Sequence, residues 1–277
     1  MKGEKTVVNI LWTGGWDSTF RMIQLAEKDI IIQPFYLKDN RPSEQHELNA
    51  IHTITEEIRA SDSTLCTINE LKTMNTRDVE VDGDISEAYD VLLKRHYFGS
   101  QYDWLARFAK NINNLELTIH VDDKAFFIIN TYGKVIRVSD DDKGEYYILD
   151  PVASPVELVK LFGNYHFPIL NYTKLEMRKV AEEKGLIDLM HKTWFCQKPI
   201  NNQPCGACNP CIYAIEEGMG YRLSNAAFKR YKARKIKDAY EKVITKTGVL
   251  YIWRLFKKIV KFLIHTFRQV VQRAGNQ

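Results

Sequence analysis

Thr6-Val-Val-Asn-Ile-Leu-Trp-Thr-Gly-Gly-Trp-Asp-Ser-Thr19 is the stretch whose reading decides the fold. Residues 6–12 are an apolar run of strand length, passing into the adjacent glycines Gly14 and Gly15 and then into Asp17, Ser18 and Thr19. Paired glycines allow a sharp bend and a close approach of backbone to a ligand. Asp, Ser and Thr favour a helix N-terminus, where free N–H groups and the helix dipole attract anions. A strand, a Gly-Gly turn and a helix start in that order form a phosphate cradle. The lysine of a Walker A loop is missing, which argues against a kinase or GTPase of that type. Taken alone, the same residues also fit a strand-to-helix turn with no ligand.

Working outward, residues 18–28 read as a helix with Phe20, Met22, Ile23 and Leu25 inward, and Ile30–Leu37 as a second strand. A helix over 44–59 and a short strand near 64–68 follow. This alternation predicts an α/β fold, a Rossmann-like parallel sheet covered on both faces, with ligands at the carboxyl ends of the strands. Thr13–Ser18 falls at such an end. Residues 71–100 read as a helix-bearing insertion or a mobile lid. Beyond them the pattern predicts a helix at 104–109 and a strand at 115–121. Residues 126–138 and 145–149 form a β-hairpin, turning at Gly133 or near Asp140-Asp-Asp-Lys-Gly144. The aspartate run suits a solvated turn better than a metal site. Helices at 154–162 and 173–184 come next, the second closed by Gly185.

The chain has 277 residues, enough for one large α/β domain and an appendage. Its start shows no leader-length apolar run and no stretch is long enough to span a bilayer, so a cytoplasmic location is expected. Of five cysteines, four lie within sixteen positions as Cys196-x8-Cys205-x2-Cys208-x2-Cys211, while Cys66 stands apart. Clustered thiols in a reducing compartment point to metal rather than disulfides. Pro204, Gly206 and Pro210 make the tight turns that let four soft ligands converge, as tetrahedral Zn²⁺ requires in a closed structural site. An iron–sulfur cluster uses a related spacing. Here a proline between the last two cysteines and an upstream fourth ligand favour zinc.

Charge divides the chain. From Phe228 onward fourteen Lys/Arg face only Asp238 and Glu241, a net +12, which leaves −8 on the preceding part of a chain whose total is +4. Within this basic extension (222–277), residues 226–244 read as one basic helix. Residues 249–273 read as an amphipathic helix, with Arg254, Lys258, Lys261 and Arg268 on the polar face and Ile252, Leu255, Phe256, Ile259, Leu263 and Phe267 opposite. Such a helix suits an anionic membrane surface, the chain's own body or a second subunit in a homodimer; nucleic acid is the least favoured partner.

With both motifs in hand, the chain resembles the 7-cyano-7-deazaguanine synthase family of queuosine biosynthesis, ATP pyrophosphatases of the PP-loop class. That family pairs a Ser-Gly-Gly-x-Asp-Ser loop with a Cys-x8-Cys-x2-Cys-x2-Cys zinc site, matched here by Thr13–Ser18 and Cys196–Cys211. Phe167-Pro-Ile-Leu170, Lys174-Leu-Glu-Met177, Thr193-Trp-Phe-Cys196 and the Asp39-Asn-Arg41 segment extend the likeness over roughly residues 6–215. The resemblance implies a PP-loop domain at 1–221, including a zinc module at 193–215. It further implies ATP and Mg²⁺ at Thr13, Gly14, Gly15, Asp17, Ser18 and Thr19, with Asp17, Ser18 and Lys174 in catalytic roles, and Zn²⁺ on Cys196, Cys205, Cys208 and Cys211. The reaction implied is adenylation of a small-molecule carboxylate and attack by ammonia. Departures fall on the acceptor side: Phe98-Gly-Ser-Gln-Tyr102 replaces a Pro-Gly-Arg-Asn stretch, and Thr118-Ile-His-Val-Asp-Asp123 replaces a strand ending Gly-Val-Asn. They leave open amide or thiol transfer to another acceptor (a nucleotide sugar, a tRNA base or a protein) and a non-catalytic nucleotide-binding role. Asp122 and Asp123 are candidates for reading a substrate amine or holding Mg²⁺, with an ordinary strand-end turn slightly favoured, and His120 is an outlying candidate.

Overall fold

The computed structural model describes residues 5–246, with side chains as far as Glu241. The opening run forms strand β1 (Val7–Leu11) and helix α1 (Trp16–Ala26), followed by β2 (Ile31–Lys38) and α2 (Glu44–Ala60). Two short strands, β3 (Thr67–Ile68) and β4 (Lys72–Asn75), precede helices α3 (Gly83–Arg95) and α4 (Gln101–Ala109). Then come β5 (Leu115–Glu116), α5 (Lys124–Tyr132), the hairpin strands β6 (Val135–Asp140) and β7 (Gly144–Leu149), α6 (Val156–Phe162) and β8 (Tyr165–His166). Helices α7 (Lys174–Glu183), α8 (Ile187–His191) and α9 (Asn209–Glu216) belong to a compact unit that ends at Arg222. In a second unit the described helix is α10 (Asn225–Lys246), on which residues 232–237 are exposed. The amphipathic helix expected at 249–273 lies outside the described residues.

The protein is α/β. Its main sheet runs β3-β2-β1-β5-β8, every pairing parallel, with β3 against the start of β2 and β4 against its end. From β1 the chain steps outward through β2, then returns to the other side of β1 as β5. Right-handed crossovers that reverse direction place helices on opposite faces and open a crevice between the strands where the order turns. Here that crevice lies between the carboxyl ends of β1 and β5.

The inward face of α1 is as the periodicity predicts: Phe20, Met22, Ile23 and Leu25 are all buried. The other face of the sheet carries an aromatic core in which Phe98, Tyr102, Phe162, Tyr165 and Phe167 meet α3, α4 and α6. Each such side chain stabilises by about 1.5–3 kcal/mol on full burial. Residues 71–100 are the helix-bearing alternative, since Ile85, Ala88, Tyr89 and Leu92 of α3 belong to this core. Gly185 adopts φ +69° after α7, and Leu186 N–H reaches Ala181 O at 2.8 Å, closing the helix as expected.

Three expectations are corrected. Residues 124–132 form helix α5 and no strand: the Asp123 side chain accepts the Ala125 N–H at 2.7 Å as an N-cap, and Ala125, Ile128 and Ile129 bury one helical face. Phe126-Phe-Ile-Ile129 is a short unbroken apolar run, which periodicity cannot assign. The hairpin therefore turns at 140–144, where Asp140 Oδ1 accepts the N–H groups of Asp142 and Lys143 and Gly144 takes φ +78°. The strand expected at 115–121 pairs only at Leu115–Glu116. Its continuation turns away from the sheet, with Val121 N–H on Tyr172 O, and carries His120 toward the crevice. The strand near 64–68 likewise shortens to Thr67–Ile68.

Candidate functional site

The loop between β1 and α1 is shaped by Gly14. Its φ of +66° is left-handed, and a Cβ there would lie 2.8 Å from Glu47 O on α2, so only glycine fits without displacement. Gly15 is the N-cap of α1 and no side chain caps that terminus, leaving the first N–H groups of the helix available to an anion. Ser18 Oγ stands 3.4 Å from both Thr13 N and Thr13 Oγ1, at the long end for hydrogen bonds, so its hydroxyl keeps capacity for a ligand. Thr19 is set apart from these residues: fully buried, it accepts the Trp12 indole N–H at 3.1 Å.

Charged groups from distant elements gather at Asp17. His120 Nε2, from the β5 side of the crevice, is 3.8 Å from Asp17 Oδ2, and Lys174 Nζ, at the start of α7, is 4.0 Å from it. Lys174 also pairs with Glu217, just past α9, at 2.7 Å. Burial works to lower the Lys174 ammonium, but Asp17 and then Glu217 outweigh it and hold the group above its usual value. Asp17 Oδ1 is buried with no hydrogen-bond partner. His120 Nδ1 accepts the Asp122 N–H at 3.2 Å, which in the neutral ring puts the proton on Nε2, facing Asp17. Behind the loop Arg21 of α1 makes a two-pronged pair with Glu116 of β5, at 2.8 and 2.6 Å, tying the two sides of the crevice together.

The four cysteines converge. Their Sγ atoms all lie within 4.8 Å of one another, with Cys205–Cys211 and Cys196–Cys208 at 3.9 Å. A disulfide needs about 2.05 Å, whereas tetrahedral Zn²⁺ with Zn–S of about 2.3 Å places sulfurs about 3.8 Å apart. N–H groups of Cys205, Ala207 and Cys208 point at Cys196 and Cys205 sulfurs at 3.1–3.3 Å, as thiolates require. The thiols are packed closely enough to bias one another: the hydrogen bond with Cys196 draws Cys208 down, and the same contact pushes Cys196 up. The donor set fits a metal ion that holds all four as thiolates.

A strap, Thr193–Cys196, joins this nest to the loop between β1 and α1. Trp194 N–H donates to Gly14 O at 2.8 Å, its indole N–H to Cys196 O at 2.7 Å, and its ring stacks on His46 of α2 at 4.3 Å. Arg222 donates to Thr193 O and Oγ1, and its guanidinium lies over the Trp16 and Phe195 rings.

No family model matches the chain, and no curated protein does. Among solved structures it is similar to a predicted subunit of a tRNA methyltransferase from Methanocaldococcus jannaschii, at 14% identity and a TM-score of 0.35, over 79% of this chain and 92% of that one.

Of the sequence-derived candidates, Thr13, Gly14, Gly15, Asp17, Ser18 and Lys174 meet at one place, and the four cysteines meet at another. Asp123 is engaged, capping α5 and accepting the Tyr102 hydroxyl at 3.2 Å. His120 gains a place beside Asp17 that its sequence context did not suggest, and Glu217 and Arg222 were not singled out at all. A glutamate and an arginine in a polar stretch after a cysteine motif carry no pattern that distinguishes them from surface charge. A hollow of about 660 Å³ between Phe35, Lys72 and Phe108 shares no residue with the loop. No described helix is long and apolar enough to cross a membrane.

Proposed function

We propose that the chain is an ATP-dependent ligase of the 7-cyano-7-deazaguanine synthase type, forming AMP and pyrophosphate while it activates a carboxylate for ammonia. The observation that carries this reading is the meeting of an uncapped helix N-terminus, the Ser18 hydroxyl, an orphaned Asp17 oxygen and the Lys174 ammonium at the crevice between β1 and β5. These are the groups a triphosphate needs, and they include no lysine within the loop to direct transfer of the terminal phosphoryl group.

In the proposed reaction a carboxylate oxygen attacks the α-phosphorus. The bond from that phosphorus to the oxygen bridging to the β-phosphorus breaks, and pyrophosphate leaves. Ammonia then attacks the acyl carbon of the adenylate, loses a proton, and AMP departs, leaving the amide. The amide oxygen then attacks the α-phosphorus of a second ATP, pyrophosphate leaves, and departure of AMP with loss of both protons from nitrogen yields the nitrile. The α1 N–H groups, Ser18 and Thr13 hold the phosphates in line. Lys174 neutralises charge growing on the leaving pyrophosphate, and the Nε2–H of His120 donates into the same space. Asp17, with one carboxylate oxygen unpartnered, would hold Mg²⁺, which would supply charge neutralisation on the phosphates. Zinc on the four cysteines is assigned a structural role, keeping the Thr193–Cys196 strap against Gly14.

The acceptor is where a second reading has support. Tyr102 and Asp123 replace residues of the family's acceptor side and are bonded to each other, which favours a different acceptor for the same adenylation chemistry. Incubation with ATP, Mg²⁺, ammonium and 7-carboxy-7-deazaguanine separates the cases. Nitrile with AMP supports the synthase reading. AMP only with another carboxylate or nucleotide acceptor supports the second, and no cleavage with any acceptor sinks both.

A further inference from the structure

Arg222 carries a guanidinium that the fold half-buries without a counter-charge. Its hydrogen bonds all run through Nη2, to His191 O at 3.4 Å, Thr193 O at 2.6 Å and Thr193 Oγ1 at 2.9 Å. Its plane sits over two rings, Trp16 at 5.2 Å and Phe195 at 4.8 Å. Among the described residues none offers it a carboxylate at ion-pair distance. Arg21 and Lys174 show the contrast, since the fold gives the first Glu116 and the second Glu217. Burial pulls Arg222 down to about 10 from its ordinary 12.5, with only the more distant fields of Tyr221 and Asp17 opposing it. A charge partly withdrawn from water with no ion-pair partner is costly, and with donors still free it is suited to a negative partner from outside the described fold.

The neighbours indicate which partner. Trp16, under the guanidinium, is the first residue of α1 and stands between Gly15 and Asp17 in the phosphate loop. Thr193 and Phe195, on its other sides, flank Trp194, whose N–H holds Gly14 O. The cation is therefore built against the walls of the cradle, with its Nε and Nη1 donors uncommitted. We propose that Arg222 is a phosphate-binding residue of this site, closing its guanidinium fork on the polyphosphate that the α1 N-terminus receives. The inference rests on the reading of Thr13–Ser18 as a nucleotide cradle and adds a second wall to it.

The test uses the full-length, zinc-loaded protein and calorimetric titration with inorganic pyrophosphate, ATP and AMP. Arg222→Gln is expected to bind pyrophosphate about thirty-fold or more weakly, as for loss of one partner of a desolvated charge pair, with Arg222→Lys intermediate. Thr193→Val removes one bond of the guanidinium but leaves its charge, and is expected to stay within about threefold of wild type. Loss for ATP and pyrophosphate with AMP unaffected places the contact on the β- and γ-phosphates; loss for AMP as well places it on the α-phosphate. Unchanged pyrophosphate and ATP affinity in Arg222→Gln, or equal losses in Arg222→Gln and Thr193→Val, would reduce Arg222 to a clamp on the strap and overturn the proposal. A wild-type protein that binds neither ATP nor pyrophosphate sinks the nucleotide reading along with it. Should the glutamine variant not fold, the ¹⁵N resonance of the Arg222 side chain in wild type decides: it moves with pyrophosphate saturation if the proposal holds and stays fixed if it does not.

Discussion

Cys205, Cys208 and Cys211 come from seven consecutive residues, with Cys196 nine positions upstream, whereas Asp17, His120, Lys174 and Glu217 come from four separate parts of the chain. The first cluster is closed and nearly self-sufficient, since its turns and N–H···S bonds are made by the same short loop that supplies the sulfurs. The second exists only when β1, β5, α7 and α9 have docked. A local cluster is set by spacing and fails all at once. An assembled one is set by packing and loses function one contact at a time. The strap from Thr193 to Cys196 is where the two plans touch.

The largest effect should come from the closed cluster. Cys208→Ala leaves three thiolates, and metal content measured by mass spectrometry should fall to near zero. Loss of a structural metal belongs with the changes that exceed about 4 kcal/mol, which for a domain of this size lowers the unfolding midpoint on the order of 10 °C. Full metal retention would show that the nest is not the ligand set. Next is Asp17→Asn, expected to slow ATP cleavage by about 10²–10³-fold with an unfolding midpoint equal to or above wild type, because the orphaned carboxylate oxygen is a local cost to folding. A fall in stability matching the loss of rate would make Asp17 a structural residue.

Lys174→Met probes the assembled cluster from the other side. It leaves Glu217 and Asp17 facing each other partly buried and should destabilise by about 2 kcal/mol in urea unfolding, an effect that Glu217→Gln in the same chain should partly restore. Additive losses would break the claim that the three act as one group.

The smallest expected effect lies outside both clusters. His166 stacks on Tyr146 at 4.2 Å, and burial, followed by Lys143, lowers its pKa to about 4 from 6.5. The folded state thus releases this proton more readily than the unfolded chain. Its contribution to stability is complete above pH 6.5 and is lost as pH falls toward about 4. His166→Gln should flatten that part of the stability profile, and an unchanged slope would assign the acid sensitivity elsewhere.

What the sequence revealed follows the same division. Thr13–Ser18 and Cys196–Cys211 could be read because each is a local device whose chemistry depends on neighbours in the chain. Lys174 could be placed only through a resemblance, since a lysine in the first turn of a helix is otherwise surface. Glu217 and Arg222 act through partners far away in sequence, and nothing in their own segment records those partners. The helix at 124–132 was read as a strand because Phe126–Ile129 is apolar at every position, and it is the Asp123 cap that decides between the two. The sheet's centre was legible from β1 and β2, whereas β5, paired over only two residues, was overextended because Ile119 continues its apolar pattern after the backbone has turned away, the last N–H toward β8 being that of Leu117.

The most direct test of the central claim asks whether the turn after β1 is where ATP phosphates sit, independent of any acceptor. Amide hydrogen exchange of the zinc-loaded protein should be followed with and without ATP and Mg²⁺, in wild type and Asp17→Asn. The account predicts slowed exchange confined chiefly to residues 13–18 and the 193–196 strap in wild type, much reduced in the variant. ATP binding that leaves those residues unprotected, or protects another part of the sheet instead, would contradict it.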